Sequence, residues 1–264
     1  MAHWLSVEEG RKSEGLRLVI TAGVPGPWGE AAKAVFQVKG IDCPRVAQFG
    51  GQPNEDLVEW TGESNAPQAV YNDEPARAHW SQIIMLGERL APSPSLLPEN
   101  PEERALMFGL IHELAGEGGF GWTRRFLLFA PLMTLPPDHS ARQGVAAMAE
   151  RYGYSEAGAA AAGARAAEIL ALLSRQWRSQ RDAGREFLVG DRLSALDLYW
   201  AAFAALVEPL PHEVCPMPEM MRAAYGQKDP LMDAALDPEL LGHRQRIYEE
   251  WLEMPIDLGP GFAP

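Results

Sequence analysis

Two stretches of the sequence carry residues arranged to meet a ligand. The first is the turn Val24-Pro25-Gly26-Pro27-Trp28, which runs into a helix. The first N–H groups of a helix lack partners inside it and the helix dipole places partial positive charge there. Such a turn stabilises an anion, a thiolate included. The second stretch is His112 to Arg125, where Gly116, Gly118, Gly119 and Gly121 fall within six residues. Each would destabilise a continuous helix by about 1 kcal/mol relative to alanine, so the chain breaks or kinks there. Glycine also lets a ligand or another backbone approach closely. No HExxH, Walker-loop or GxSxG sequence occurs, and the six histidines show no ligand spacing, so no metal site is expected. Cys43 and Cys215 stand 172 positions apart and form no CxxC pair; both are expected to be free thiols.

These stretches need elements to hold them. Residues 1–15 are polar and read as a loosely held arm. Leu16, Leu18 and Ile20 alternate with Arg17 and Val19, a short strand ending at Thr21. Pro27 suits the first position of a helix, and Ala31, Ala34, Val35 and Val38 then line one helical face that Gly40 ends. Val46, Ala47 and Phe49 suggest a second strand, residues 50–65 a connection with at most one short helix, and residues 66–71 a strand entered through Pro67. Residues 77–90 read as a helix with Trp80, Ile83, Ile84 and Leu90 inward. This β-α-β-β-α order is a compact α/β unit.

The prolines between Pro92 and Pro98 mark a linker, since proline continues neither helix nor sheet. Beyond it the chain reads as almost wholly helical, with helices at about 102–116, 121–132, 140–152, 155–182, 194–209 and 238–253. Ser194 and Asp197 have capping-box spacing, Leu193 and Leu198 stand where a hydrophobic staple would, and Gly190-Asp191 leads into them, with Asp191 placed to bond the loop from inside. Met217, Met220 and Met221 read as core packing.

With that cap, staple and lead-in together, the segment from Phe187 to Leu198 resembles the folding motif in the C-terminal domain of cytosolic glutathione transferases, and the β-α-β-β-α unit resembles their thioredoxin-like half. The resemblance implies an α/β thioredoxin-like domain followed by an all-α helical-bundle domain. The expected divisions are an arm at 1–15, a glutathione-binding domain at 16–91, a linker at 92–101 and an all-helical domain at 102–264.

The resemblance also implies site residues. Counting back from Lys39-Gly40-Ile41 puts Gly26 where the family keeps a serine or cysteine for the glutathione sulfur, and Thr21 is then the nearest hydroxyl able to replace it. Trp28 either walls the sulfur site or fills the interdomain crevice. Pro67 resembles the family's cis-proline, which leaves the N–H and C=O of Ala66 free to pair with a peptide-like ligand. The family's acidic residue and serine for the γ-glutamyl end fall on Ala78 and His79, or on Trp80 and Ser81 with a shift of two, so His79 and Ser81 are the candidates. Trp122, Arg124 and Arg125 would meet a hydrophobic, anionic compound in the acceptor pocket, or else pair with neighbouring carboxylates.

The function implied is conjugation or reduction of a hydrophobic electrophile, with glutathione as cosubstrate, no metal, and a homodimer as the assembly. The alternative is a non-catalytic small-molecule-binding or interaction module on the same fold, because Gly26, Ala78 and His79 lack the expected side chains. A thiol reductase using Cys43 is a weaker third reading, since Cys43 lies beyond the first helix and away from the turn.

The formal charge, 23 basic against 36 acidic side chains, is −13, which argues against a nucleic-acid partner because no basic stripe is available. No uninterrupted apolar run approaches the roughly 18 residues of a membrane span. The segment from Met1 to Glu9 shows no secretory pattern, so a cytoplasmic setting is expected.

Overall fold

The alternating run Leu16–Thr21 forms an inner strand of a four-stranded sheet in the computed structural model, which describes residues 4–227 and 229–260. Alternation sends Leu16, Leu18 and Ile20 to one face and Val19 to the other. Both faces are covered. The elements of this half are β1 (Trp4–Leu5), α1 (Val7–Lys12), β2 (Leu16–Thr21), α2 (Pro27–Val38), β3 (Arg45–Gln48), α3 (Glu55–Thr61), β4 (Gln68–Tyr71) and α4 (Trp80–Leu90). The strand order is β1-β3-β2-β4, with β2 parallel to β3 and antiparallel to β4. Leu16, Leu18 and Ile20 pack with Ala31, Val35 and Phe36 of α2 and with Ile83 and Ile84 of α4. On the other face Val19 and Val46 pack with Leu5 and with Leu57 of α3.

Residues 4–12 correct the expectation of a loose arm. Trp4 and Leu5 pair in parallel with Arg45 and Val46, and α1 follows with a capping box in which Ser6 N donates to Glu9 Oε2 at 2.8 Å. The segment is polar, but its contacts are made by the few residues that are not. A Cβ on Gly10 would stand 2.6 Å from Val46 Cγ2, so α1 lies directly on β3. Buried Arg17 fixes it there by donating from Nε to Gly10 O at 3.0 Å. α4 starts three residues later than expected because Arg77 still exchanges two backbone hydrogen bonds with Ala69, holding the chain extended.

The second half consists of α5 (Pro101–Ala115), α6 (Phe120–Met133), α7 (Ser140–Arg151), α8 (Glu156–Asp182), α9 (Ala195–Phe203) running into a 3-10 turn (Ala204–Leu206), α10 (Glu219–Tyr225), α11 (Pro230–Ala235) and α12 (Pro238–Trp251). Among the described residues it contains no strand. The fold is thus an α/β unit followed by a helical bundle. α10 and α11 were not anticipated, and Met220 on α10 is 84% exposed, against the reading of a core methionine. α8 is long enough to span a membrane, with a mean hydropathy of 1.2 over its most apolar window, yet Ile169, Leu170 and Leu173 are buried in the bundle, as in the core helix of a globular protein.

α9 is buried along its whole length, and its start is organised by Asp197. The carboxylate is wholly buried and accepts four hydrogen bonds: from Leu188 N (2.9 Å), Ser194 N (2.9 Å), Ser194 Oγ (2.8 Å) and His243 Nε2 (2.8 Å). It bonds the preceding loop from inside, the role expected of Asp191, which is exposed. His243 comes from α12 and stacks on Trp177 of α8 at 4.5 Å, so one side chain joins a loop and three helices. Removing a buried hydrogen-bonded charge strands its partners at about 1–3 kcal/mol each. Asp197→Ala should therefore destabilise the protein by at least about 3 kcal/mol, lowering the melting temperature by roughly 6 °C or more. An unchanged melting temperature by calorimetry would show that the network carries no net stability.

Candidate functional site

A cleft of about 450 Å³ opens between the C-terminal edge of the sheet and the helices α6 and α7. Thr21, Gly26, Trp28, Gln48, Asn65, Ala66 and Pro67 line it from the α/β half; Gly121, Arg125, Arg151, Tyr152 and Tyr225 line it from the helical half. Six of the expected site residues thus meet at one cavity.

Its floor is the start of α2. Gly26 is the N-cap, with an extended backbone (φ −65°, ψ 123°) and no side-chain cap, followed by Pro27 at the first helical position. A Cβ built on Gly26 meets nothing within 4 Å, so the floor has room for a side chain that glycine does not supply. Thr21 stands beside it but does not offer a free proton. Its hydroxyl donates to Gln48 Oε1 at 2.7 Å, and the orientation of that amide is fixed because Gln48 Nε2 donates to Phe49 O and Ser64 O. The single hydroxyl proton of Thr21 is thus engaged by Gln48, where the resemblance would have it donate to the glutathione sulfur.

On the wall above, the Ala66–Pro67 peptide is cis, and the ladder between β2 and β4 stops at Gln68. Ala66 therefore lies beyond the sheet pairing. Next to it, Asn65 Oδ1 is buried without a hydrogen-bond partner, a side-chain acceptor on the cleft wall. His79 and Ser81 are not among the residues lining this cleft. His79 is the N-cap of α4; its Nδ1 accepts from Ser81 N at 3.3 Å and meets Ser81 Oγ at 2.7 Å. The pair is occupied in starting its own helix, and Trp80 between them is buried against Phe108 and Tyr199.

Trp28 joins the two halves. Its Nε1 donates to Ala115 O, one of the open carbonyls at the end of α5, at 2.8 Å, and its ring meets Phe203 edge-on at 5.0 Å. The glycine run explains how it fits. Gly118 turns the chain with φ +72°, and a Cβ on Gly121 would stand 2.6 Å from both Trp28 and Phe203. The close approach foreseen for these glycines is thus made by an aromatic ring of the other half. Trp28 both walls the cleft and fills the interdomain crevice.

Arg125 completes this wall. Its guanidinium lies 3.7 Å from the Tyr152 ring centroid, 4.6 Å from that of Trp28 and 5.2 Å from that of Trp122. Trp122 meets Tyr152 edge-on at 5.3 Å, touches the site through Tyr152 and Arg125, and is not itself part of the lining. Desolvation lowers the pKa of Arg125, and burial pushes the Tyr225 phenol up to about 12. Arg124 points elsewhere: it is buried and donates to Tyr225 O at 3.2 Å.

Gln48, Asn65, Arg151, Tyr152 and Tyr225 were not foreseen at the site. Arg151 and Tyr152 are neighbours at the end of α7, and the others come from three further parts of the chain, so the set has no spacing that a sequence could show. The cysteines stay apart from the cleft lining; burial raises the Cys43 thiol to about 12 and the Cys215 thiol to about 11. Among the described residues, no three histidine, cysteine or acidic side chains cluster as metal ligands would.

No protein-family model matches the sequence, and a search of characterised proteins finds no significant match. Solved structures do match. An Omega glutathione transferase (3C) from Trametes versicolor aligns over 97% of this chain and 96% of its own, with TM-score 0.61 and 13% identity. A glutathione S-transferase from Methylobacterium radiotolerans, solved with glutathione sulfonate, aligns over 89% and 91%, with TM-score 0.60 and 15% identity. A rice glutathione transferase, solved with glutathione, aligns over 92% and 94%, with TM-score 0.59 and 17% identity. With near-complete coverage of both halves at such low identity, what is held in common is the path of the backbone: the chain has the two-domain fold of the glutathione transferases.

Proposed function

We propose that the protein binds glutathione in the interdomain cleft and conjugates or reduces a hydrophobic electrophile with it, at a low intrinsic rate. The observation that carries this reading is the bare start of α2 at Gly26 opening into the same cavity as Ala66 and the unpartnered Asn65 Oδ1. An extended tripeptide has N–H groups for such acceptors, and a thiolate has the helix N-terminus. Two of the structural neighbours were solved with glutathione or its sulfonate, which supports the same ligand here. The low rate follows from the floor. A helix dipole contributes about 0.3–1 kcal/mol to a neighbouring anion, or roughly 2 if partly buried, and so lowers a thiol pKa by at most about 1.5.

A non-catalytic binder is the second reading, favoured by the same floor: Gly26 has no side chain, Thr21 is committed to Gln48, and His79 caps its own helix. The two separate experimentally. Glutathione should bind by calorimetry, and Gly26→Ser should raise turnover of an activated aryl halide about tenfold or more, because the space for the hydroxyl already exists. Thr21→Val should leave turnover within about twofold. Absence of glutathione binding would favour the binder; loss of turnover in Thr21→Val would restore the threonine as the sulfur's donor.

The third reading, a reductase acting through Cys43, predicts a reactive thiol. With its pKa raised to about 12 by burial, Cys43 at pH 8 is almost entirely protonated and should alkylate on the order of a thousandfold more slowly than a free thiol. Rapid alkylation of Cys43 in the folded protein would return it to consideration.

The homodimer belongs to this proposal. Met85 on α4 and Leu106 on α5 are exposed, at 48% and 42%, and give each half of the chain an apolar side chain to cover. Sedimentation at micromolar concentration should give a dimer that Met85→Glu or Leu106→Glu weakens; a wild-type monomer would remove the dimer from the reading.

A further inference from the structure

Arg125 is an unusual cation for this chain. The protein has 36 acidic side chains against 23 basic ones, yet no ion pair is formed by Arg125 among the described residues. Of the other buried arginines, Arg17 donates to three carbonyls, Arg244 reaches Glu208 and Arg124 donates to Tyr225 O, although Arg124 Nε and Arg244 Nε are, like Arg125 Nη1, buried without a partner. The Arg125 guanidinium lies against the rings of Tyr152, Trp28 and Trp122, and it donates no hydrogen bond among the described residues. Its Nη1 is buried and has no partner. The groups that offset its desolvation are the phenols of Tyr152 and Tyr225. A guanidinium held against aromatic rings with its N–H groups unpartnered is suited to take a carboxylate through charge-assisted hydrogen bonds.

The surroundings agree. Arg151, at the end of α7, lines the same cleft and also forms no ion pair among the described residues. Among the described residues of the lining Glu30 is the one carboxylate, and it is already bridged to Lys33 at 2.7 Å. Leu128, Met148 and Leu206 supply an apolar bed beside the rings. We propose that the helical wall of the cleft is an anion-recognition site in which Arg125, assisted by Arg151, holds the carboxylate of a flat aromatic acid while Trp28 and Tyr152 flank its ring. This deepens the glutathione reading by giving the class of the second substrate, an aromatic carboxylate.

The test uses the intact protein and matched naphthalenes: 2-naphthoate, the neutral 2-naphthylmethanol and the cationic 2-naphthylmethylamine. Binding is measured by calorimetry and by quenching of tryptophan fluorescence, first without glutathione, so that a failure of the tripeptide reading leaves the result standing. The naphthoate should bind at least tenfold more tightly than the alcohol, and the amine most weakly. Arg125→Met keeps an unbranched stem between the rings and should remove at least tenfold of the naphthoate affinity, with the alcohol within about twofold. Arg151→Gln should cost about threefold for the naphthoate alone. Raising the salt concentration should weaken the naphthoate and leave the alcohol unaffected, a readout that needs no variant to fold. Equal affinities for acid and alcohol in the natural protein, or no binding of the acid at all, would overturn the proposal. So would an Arg125→Met variant of unchanged melting temperature that weakens both ligands alike.

Discussion

The carboxylate of Asp197 is the constraint on which the helical half rests. A buried charge is tolerated when its lone pairs are filled, and here they are filled from Leu188, Ser194 and His243. The partners come from a loop, a helix start and the last long helix. No local preference would bring them together, and none can be satisfied by water where they sit. The network thereby fixes the direction in which α9 enters the core. Every residue of α9 is buried, so that direction matters to all its neighbours.

One consequence reaches the cleft. α9 ends at Phe203, which meets the edge of Trp28, and Trp28 in turn holds the open carbonyl of Ala115 and one side of Arg125. The chain of contacts runs from a folding device to a binding wall without a flexible link. Gly121 keeps it tight, since any larger residue would push Phe203 and Trp28 apart. The α/β half and the bundle therefore share a single continuous core, and the cleft is what that shared packing leaves open.

Features written in a few adjacent residues were legible from the sequence. The alternation of Leu16, Leu18 and Ile20, the proline opening α2, the Ala66–Pro67 strand entry and the Ser194–Asp197 spacing all encode local geometry, and each element stands where its residues imply. What could not be read depends on a distant partner. β1 is two residues long and is a strand only because β3, some forty residues later, accepts it. Thr21 reads as a free hydroxyl until Gln48 is placed opposite, and His79 as a ligand until it is seen to cap α4. Arg125 was visible as a charge. That it forms no ion pair among the described residues is a property of the packed molecule, and a sequence so rich in acids suggests the reverse.

The two walls of the cleft have been shaped differently, and this bears on what a fold implies about activity. The floor retains a helix N-terminus and omits the side chain that would sharpen its effect on a thiol, an interaction of about 1 kcal/mol. The helical wall instead keeps a desolvated guanidinium whose buried Nη1 has no partner among the described residues, a group that an anion would complete. Stabilising a sulfur accelerates a reaction with many acceptors, whereas completing a buried cation discriminates among them. The fold is held in common with glutathione transferases, but the distribution of strength within the site belongs to these residues, and function follows the site.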